Sequence, residues 1–157
     1  MLIFTHSCNT LIADGIPYIS LLEQAYVIFK LPSFSRNLRN EIKRNQKIYF
    51  YDNGLLNIIK GNLNAWETRE NKGALWENFL ISERQKKNSY KQSLANSYFW
   101  RTKQQQEIDY VEDEGGKITA YELKWSSTAK VRIPEMFIKE YQADFHVIHS
   151  ENFGEFI

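Results

Sequence analysis

The glycine pair Gly115-Gly116 constrains this chain most, because it separates two runs with strand character, Glu107–Asp113 and Lys117–Trp125. Two successive glycines favour the tight primed turn that joins neighbouring antiparallel strands. If these glycines form the whole loop, Asp109 lies directly opposite Glu122. The sequence therefore predicts a β-hairpin that brings two acidic side chains together.

Alternation along the two strands predicts faces of different character. One face is predicted to carry Glu107, Asp109, Val111, Ala120, Glu122 and Lys124. The other is predicted to carry Ile108, Tyr110, Tyr121, Leu123 and Trp125, a set typical of a core.

Two carboxylates placed opposite each other on neighbouring strands destabilise the pair. A fold can relieve this by protonating one acid, by directing a cation at the pair or by binding a metal ion. Lys124 is predicted on the same face as Asp109 and Glu122 and can supply such a cation. A divalent ion is the stronger remedy, because Mg²⁺ prefers oxygen ligands.

The acid-x-Lys pattern by itself is weak, because composition alone produces it. It occurs at Glu41/Lys43, at Glu70/Lys72 and at Glu122/Lys124, and only the last lies in a strand-like run with large apolar neighbours. Exposed charges on an ordinary hairpin would give the same pattern, and a bulge would change the predicted facing of the residues. Both interpretations of the hairpin stay open on this ground alone.

The rest of the chain is predicted to alternate helices and strands. A helix over Lys72–Asn88 has Glu77 beside its apolar stripe, where a carboxylate needs a partner. Strands at Ser97–Thr102 and along the hairpin follow, then a helix over Ile133–Tyr141 and a strand over Phe145–His149. The predicted order is helix, three strands, helix, strand.

Residues 1–50 are predicted to form a small separate unit, and residues 51–157 the main domain. Within the first unit, strands are predicted over Val27–Leu31 and Lys47–Tyr51. The run Lys30–Lys47 is rich in cations, including Arg36 and Arg39, and is either a solvated face or a nucleic-acid contact.

Bulk composition narrows the class of protein. The net charge of +1 gives no overall field that attracts nucleic acid or an anionic membrane. A single cysteine, Cys8, excludes an internal disulfide and fits a reducing compartment, so we expect a cytoplasmic protein. Apolar runs are too short to span a bilayer, and no signal peptide is expected.

Several segments together resemble the DUF4143 family, a domain of unknown function found at the C-terminus of bacterial and archaeal AAA-type ATPases. They are ALWENFLISER with Glu77, FWRT at Phe99–Thr102, EIDYVE at Glu107–Glu112 and YELKW at Tyr121–Trp125. The similarity extends to LLEQAYVIFKLPSFSRN and KIYFYDNGL, and so over about residues 17–157. That family resembles the PD-(D/E)XK nucleases, whose restriction-endonuclease-like α/β core has the element order predicted above.

The resemblance implies a set of site residues. Asp109 matches the motif aspartate, Glu122 and Lys124 match the acid-x-Lys pair, and Glu77 matches the helix glutamate. It further implies that Asp109, Glu122 and the Leu123 carbonyl hold Mg²⁺ or Mn²⁺.

Lys124 would orient the attacking water or stabilise developing negative charge. Arg101 would contact a phosphate, or equally would pair with the acidic strand. DNA and a cognate ATPase module are the implied partners, whereas the oligomeric state is left open.

This sequence also departs from the family pattern. It contains no GxxxxGK[ST] loop, so no nucleotide cofactor is expected in this chain. Residues 17–51 resemble the tail of a winged-helix unit, and residues 1–14 do not resemble the family. Besides a metal-dependent DNA endonuclease, the chain can therefore be a non-catalytic module that docks DNA or a partner, or a truncated relic.

Overall fold

The computed structural model describes residues 2–4, 12–36 and 45–157. In chain order its elements are β1 (Leu2–Phe4), α1 (Ile12–Gln24), β2 (Ile28–Pro32), β3 (Gln46–Phe50), α2 (Asn53–Ile59), α3 (Lys72–Tyr90), β4 (Asn96–Arg101), β5 (Glu107–Glu114), β6 (Lys117–Leu123), α4 (Glu135–Tyr141) and β7 (Asp144–Ile148). Short 3₁₀ turns occur at Trp66–Thr68 and Phe153–Glu155. The protein is thus a mixed α/β structure.

The predicted order of helix, three strands, helix and strand is confirmed by α3, β4, β5, β6, α4 and β7. Strands β2 and β3 also lie within a residue of their predicted positions, whereas β1 was not predicted. Within the described ranges, each helix is too short or too polar to cross a lipid bilayer.

The strands form two sheets. Strands β1, β3 and β2 make an antiparallel sheet in that order. The second sheet has the order β4-β5-β6-β7, with β7 parallel to β6 and the other pairs antiparallel. A bridge between Ser33 and Phe99 and a 2.6 Å hydrogen bond from the Phe34 N–H to the Phe99 carbonyl connect the two sheets.

Helix α3 packs against both sheets. Its residues Leu80 and Ile81 are fully buried in a cluster that includes Tyr49 of β3 and Tyr110 of β5. Each fully buried side chain of this size contributes about 1.5–3 kcal/mol relative to exposure. Asn78 fastens the helix to β3, because its side chain accepts a 2.8 Å hydrogen bond from the Phe50 N–H and donates a 2.9 Å bond to the Phe50 carbonyl.

The β5–β6 hairpin has the predicted register. Tyr110 pairs with Tyr121, and the ladder continues to Glu114 and Lys117 on either side of the glycine turn. Gly115 and Gly116 have φ values of +60° and +95°, the positive values that a primed turn requires at both positions.

Strand β5 also contains a β-bulge next to β4. Between two consecutive pairs of the β4–β5 ladder, β4 has one residue, Phe99, and β5 has two, Asp109 and Tyr110. The prediction that Ile108 shares a face with Tyr110 is therefore wrong. The extra residue interrupts the alternation, and Ile108 packs in one cluster with Val111.

A second correction concerns the face predicted to carry charge. Val111 and Ala120 on that face are fully buried, together with Phe137 of α4. The sheet is covered on both sides over most of its length, because α4 packs against the face that α3 leaves free. On this face the buried residues Val111 and Ala120 therefore separate the acidic residues at the open end of the hairpin from the charged residues near its turn.

The proposed boundary between residues 1–50 and 51–157 stays a prediction, as does the winged-helix character of the first unit. In the described part of the chain, Phe29, Leu31 and Tyr49 belong to the same core cluster as Leu80 of α3. Strands β2 and β3 therefore contribute to a core shared with the second sheet.

Candidate acidic site

The β5–β6 ladder opens just where the acidic residues occur. Its last recorded pair is Tyr110 with Tyr121. Beyond this pair, the Oδ2 atom of Asp109 accepts a 2.9 Å hydrogen bond from the backbone N–H of Leu123. The carboxylate thus takes the place of a backbone acceptor, and the bulge positions it to do so.

The electrostatic environment of Asp109 is unusual. Burial and the negative charges of Glu77 and Glu122 raise the pKa of Asp109 to about 7, against partial lowering by Lys47 and the Leu123 N–H. The side chain is densely surrounded by protein atoms but keeps partial contact with solvent. The predicted pairing of Asp109 directly opposite Glu122 is not part of the ladder, which ends at Tyr110 and Tyr121. The charge of Glu122 still contributes to the raised pKa of Asp109, after that of Glu77.

Lys124 supplies the positive charge that was predicted beside these acids. Its Nζ atom is 2.6 Å from Glu122 Oε1, and its side chain is 32% exposed. Burial alone would lower the pKa of Lys124, but the hydrogen bond to Glu122 and the charges of Asp109, Glu122 and Glu77 raise it. Asp109, Glu122, Lys124 and Glu77, all predicted from the sequence, interact within one site, which we call the acidic site.

Sequence reasoning missed Lys47 and Tyr49 of β3. The Tyr49 hydroxyl donates a 2.6 Å hydrogen bond to Glu77 Oε1, and Lys47 Nζ lies 3.2 Å from the same oxygen. Lys47 Nζ also lies 2.5 Å from Glu107 Oε1. The available signal was the alternation of β3, which puts Lys47 and Tyr49 on one face of a strand that ends close to α3.

The predicted nucleic-acid contacts are mostly engaged within the protein. Arg101 Nε lies 3.5 Å from Glu107 Oε2, so the salt-bridge alternative is the one observed. Arg36 pairs with Asp113 at 3.0 Å and keeps about half of its side chain exposed, at 47%. Arg39 lies outside the described residues.

The donor set can be tested for its fit to a divalent ion. No three acidic, histidine or cysteine side chains in the described ranges converge as ligands on a single point. Mg²⁺ sites commonly use only one or two carboxylates, with water and substrate phosphates completing the shell. Asp109 and Glu122 fit this requirement. Asp109 is a partly solvated carboxylate, and the negative charges of Glu77 and Glu122 beside it would be offset by a bound cation.

Comparison with protein families gives two matches. Residues 72–152 match the model of DUF4143, a domain of unknown function. Residues 15–65 match the model of DUF8612, another domain of unknown function. The four residues of the acidic site fall within the first match, and Lys47 and Tyr49 fall within the second.

Two curated relatives are similar over most of this chain. They are the uncharacterized proteins Rv2008c of Mycobacterium tuberculosis and Mb2031c of Mycobacterium bovis, each 30% identical over 118 residues. The alignment covers 73% of this chain and 25% of each relative, so the matched part spans about a quarter of their length. No solved structure matches the chain significantly.

Proposed function

Because this chain belongs to the DUF4143 family, we propose that its acidic site makes it a metal-dependent phosphodiesterase domain of the PD-(D/E)XK type that acts on DNA. The proposal depends mainly on one observation. Asp109, Glu122, Glu77 and Lys124 interact at the open end of one hairpin, where burial and then the negative charges of Glu77 and Glu122 raise the pKa of Asp109 to about 7.

Each residue of the site would have a separate role. Asp109 and Glu122, with the Leu123 carbonyl, would hold Mg²⁺ or Mn²⁺. The bound ion would polarise the scissile phosphate and lower the pKa of the attacking water.

Lys124 would act beside this pair. Its ammonium lies 2.6 Å from Glu122 and is about one-third exposed, so it can reach both the carboxylates and solvent. A lysine in this position would orient the attacking water or stabilise the charge that develops on the phosphate oxygens. Glu77, held by Tyr49 and Lys47, would support the site from α3.

Plasmid nicking tests this proposal. We expect the wild-type chain to nick supercoiled DNA with Mg²⁺ or Mn²⁺, and Lys124→Ala to lose about 100-fold or more in rate while remaining folded. Lys117→Ala is the matched control, because Lys117 begins the strand that Lys124 directly follows, but is exposed and pairs with Asp144 at 3.4 Å. A wild-type protein that is inert with both metals would contradict the proposal.

A second candidate is a non-catalytic module that docks DNA or a cognate ATPase. The observation that favours it is that the protein's own cations already engage several of the acids, through Lys47 with Glu77 and Glu107 and through Lys124 with Glu122. Since the matched part spans a quarter of the relatives, an ATPase partner would lie in another segment or chain.

The docking candidate predicts DNA binding that weakens steeply with salt and survives Asp109→Ala, because phosphate contacts would not need the acidic site. Filter binding at low and moderate salt measures this. Binding that disappears with Asp109→Ala would instead favour the metal-dependent candidate.

A further inference from the structure

Lys47 is a deeply buried charged residue that contacts the acidic site through Glu77. Only 1% of its side chain is exposed, compared with 15% for Glu77 and 32% for Lys124. Burying an ammonium group without partners is very costly, so its surroundings must compensate the charge. They do so with Glu107 Oε1 at 2.5 Å, Glu77 Oε1 at 3.2 Å and the Phe99 ring at 5.3 Å from its centroid.

We propose that Lys47 is a built-in cation of the acidic site, and that its ammonium holds the position between Glu77 and Glu107 that a second divalent ion would need. The inference extends the proposed function, because it limits the site to one exchangeable ion, at Asp109 and Glu122. Two-metal sites need carboxylates that are free to contact both ions. The Oε1 atom of Glu77 is not free, since it contacts both Lys47 and Tyr49.

The charge balance agrees with this assignment. Four carboxylates contribute to the site, from Glu77, Glu107, Asp109 and Glu122, and the cations beside them are Lys47, Lys124 and Arg101. Removing Lys47 would leave two more negative charges than positive ones when all four acids are ionised. A fold with that imbalance would gain from binding one additional divalent cation.

Lys47 also links the two matched segments of the chain. It belongs to β3, within residues 15–65, whereas the acids that it contacts belong to α3 and β5, within residues 72–152. The acidic site therefore takes its most buried charge from outside the DUF4143 match. The preceding segment completes the site electrostatically.

Manganese stoichiometry on the full chain tests the inference. We would titrate Mn²⁺ by calorimetry into wild type, Lys47→Met and Lys47→Arg, and follow paired Mn²⁺ ions by electron paramagnetic resonance. We expect one ion per chain for wild type and Lys47→Arg, and one more for Lys47→Met. Lys86→Met is the control, because Lys86 also pairs with an acid, Glu83, but on the surface of α3.

The outcomes separate this inference from the proposed function. If wild type binds no ion and Lys47→Met binds one, Lys47 is supported as the built-in cation, and the metal-dependent function is contradicted. Equal stoichiometry for wild type and Lys47→Met, or two ions on wild type, would overturn the inference. If Lys47→Met folds only when Mn²⁺ is present, the ion replaces the ammonium, and the inference is supported. If it stays unfolded even with Mn²⁺, the inference fails.

Discussion

The carboxylate of Asp109 accepts a 2.9 Å hydrogen bond from the backbone N–H of Leu123, at the open end of the β5–β6 hairpin. This contact places a side-chain oxygen where an antiparallel ladder would place a carbonyl. Within the part of the chain that the structure describes, no hydrogen bond engages the second Asp109 oxygen, in a site that also contains Glu122 and Lys124. The predictions below follow from this arrangement and from the packing that holds it.

Asp109 should make the protein less stable as pH rises. Its folded pKa of about 7 lies above the ordinary value of 3.8, so the folded state binds the extra proton between these limits. The free energy of unfolding should therefore fall from about pH 4 to pH 7 through this residue. Asp109→Asn should remove that slope and stabilise the metal-free protein at pH 8 by at most about 4 kcal/mol.

Urea unfolding of wild type and Asp109→Asn at pH 5 and pH 8 checks this. Asp144→Asn serves as the control, because Asp144 is an exposed partner of Lys117. If the free energy of unfolding changed equally in wild type and Asp109→Asn between pH 5 and pH 8, the raised pKa of Asp109 would be contradicted.

Magnesium should reverse the effect of Asp109 on stability. A bound divalent ion favours the ionised carboxylate. It therefore stabilises the folded state more at a pH where Asp109 is ionised and repelled by Glu77 and Glu122. We expect Mg²⁺ to raise the melting temperature of wild type at pH 8 more than at pH 5, and to leave Asp109→Asn nearly unchanged. Thermal unfolding followed by circular dichroism measures both, and an equal shift for the two proteins would count against the site.

The ion pair between Arg84 and Glu112 should be essential for folding stability. Arg84 donates hydrogen bonds to both oxygens of Glu112, at 2.8 Å from Nε and 2.5 Å from Nη2, and a third bond to the Phe156 carbonyl. Glu112→Gln would leave the arginine charge partly buried and should cost about 3 kcal/mol. Urea unfolding, with the exposed Glu135→Gln as control, tests this, and a loss equal to that of the control would contradict it.

Glu112 should also contribute to acid sensitivity. Burial alone would raise the pKa of Glu112, but hydrogen bonds from Arg84, Asn88 and Tyr110 lower it below its usual value. Its stabilising contribution should thus be complete above the ordinary carboxyl pKa and be lost as pH falls through the lowered one. Acid unfolding of wild type should lose this contribution below about pH 4, and Glu112→Gln should lack that step.

The hairpin turn should tolerate asparagine better than alanine. Gly115 has φ near +60°, a conformation that asparagine adopts more readily than other residues with side chains. Gly115→Ala should destabilise the protein by about 1 kcal/mol, and Gly115→Asn by less. Thermal melts of both variants measure this, and a reversed order would argue against the primed turn.

The register of the acidic hairpin could be predicted because a local signal fixes it. Gly115-Gly116 determines the turn, and a tight turn fixes which residues face each other along the ladder. The element order was equally accessible from hydrophobic periodicity in α3 and in the strands that follow it.

The bulge at Asp109 and Tyr110 could not be predicted from the same pattern. It arises opposite Phe99, where β5 pairs with β4, and such a pairing between separate segments leaves no sign in the local period of β5. Strict alternation therefore misplaced Ile108.

Lys47 was missed for a different reason. In the sequence it is one of several cations between Lys30 and Lys47, which favoured a solvated or nucleic-acid-binding face. Its actual partners, Glu77 and Glu107, are 30 or more positions further along the chain. Only the packing of β3 against α3 and β5 brings these residues together.

Calorimetric titration of Mg²⁺ into wild type and Glu122→Gln tests the central claim most directly. Glu114→Gln, at the exposed end of the same hairpin, is the matched control. The account predicts that wild type and Glu114→Gln bind one ion with equal affinity, and that Glu122→Gln binds at least about 10-fold more weakly while remaining folded. Equal Mg²⁺ affinity in wild type and Glu122→Gln, or no binding to wild type, would contradict it.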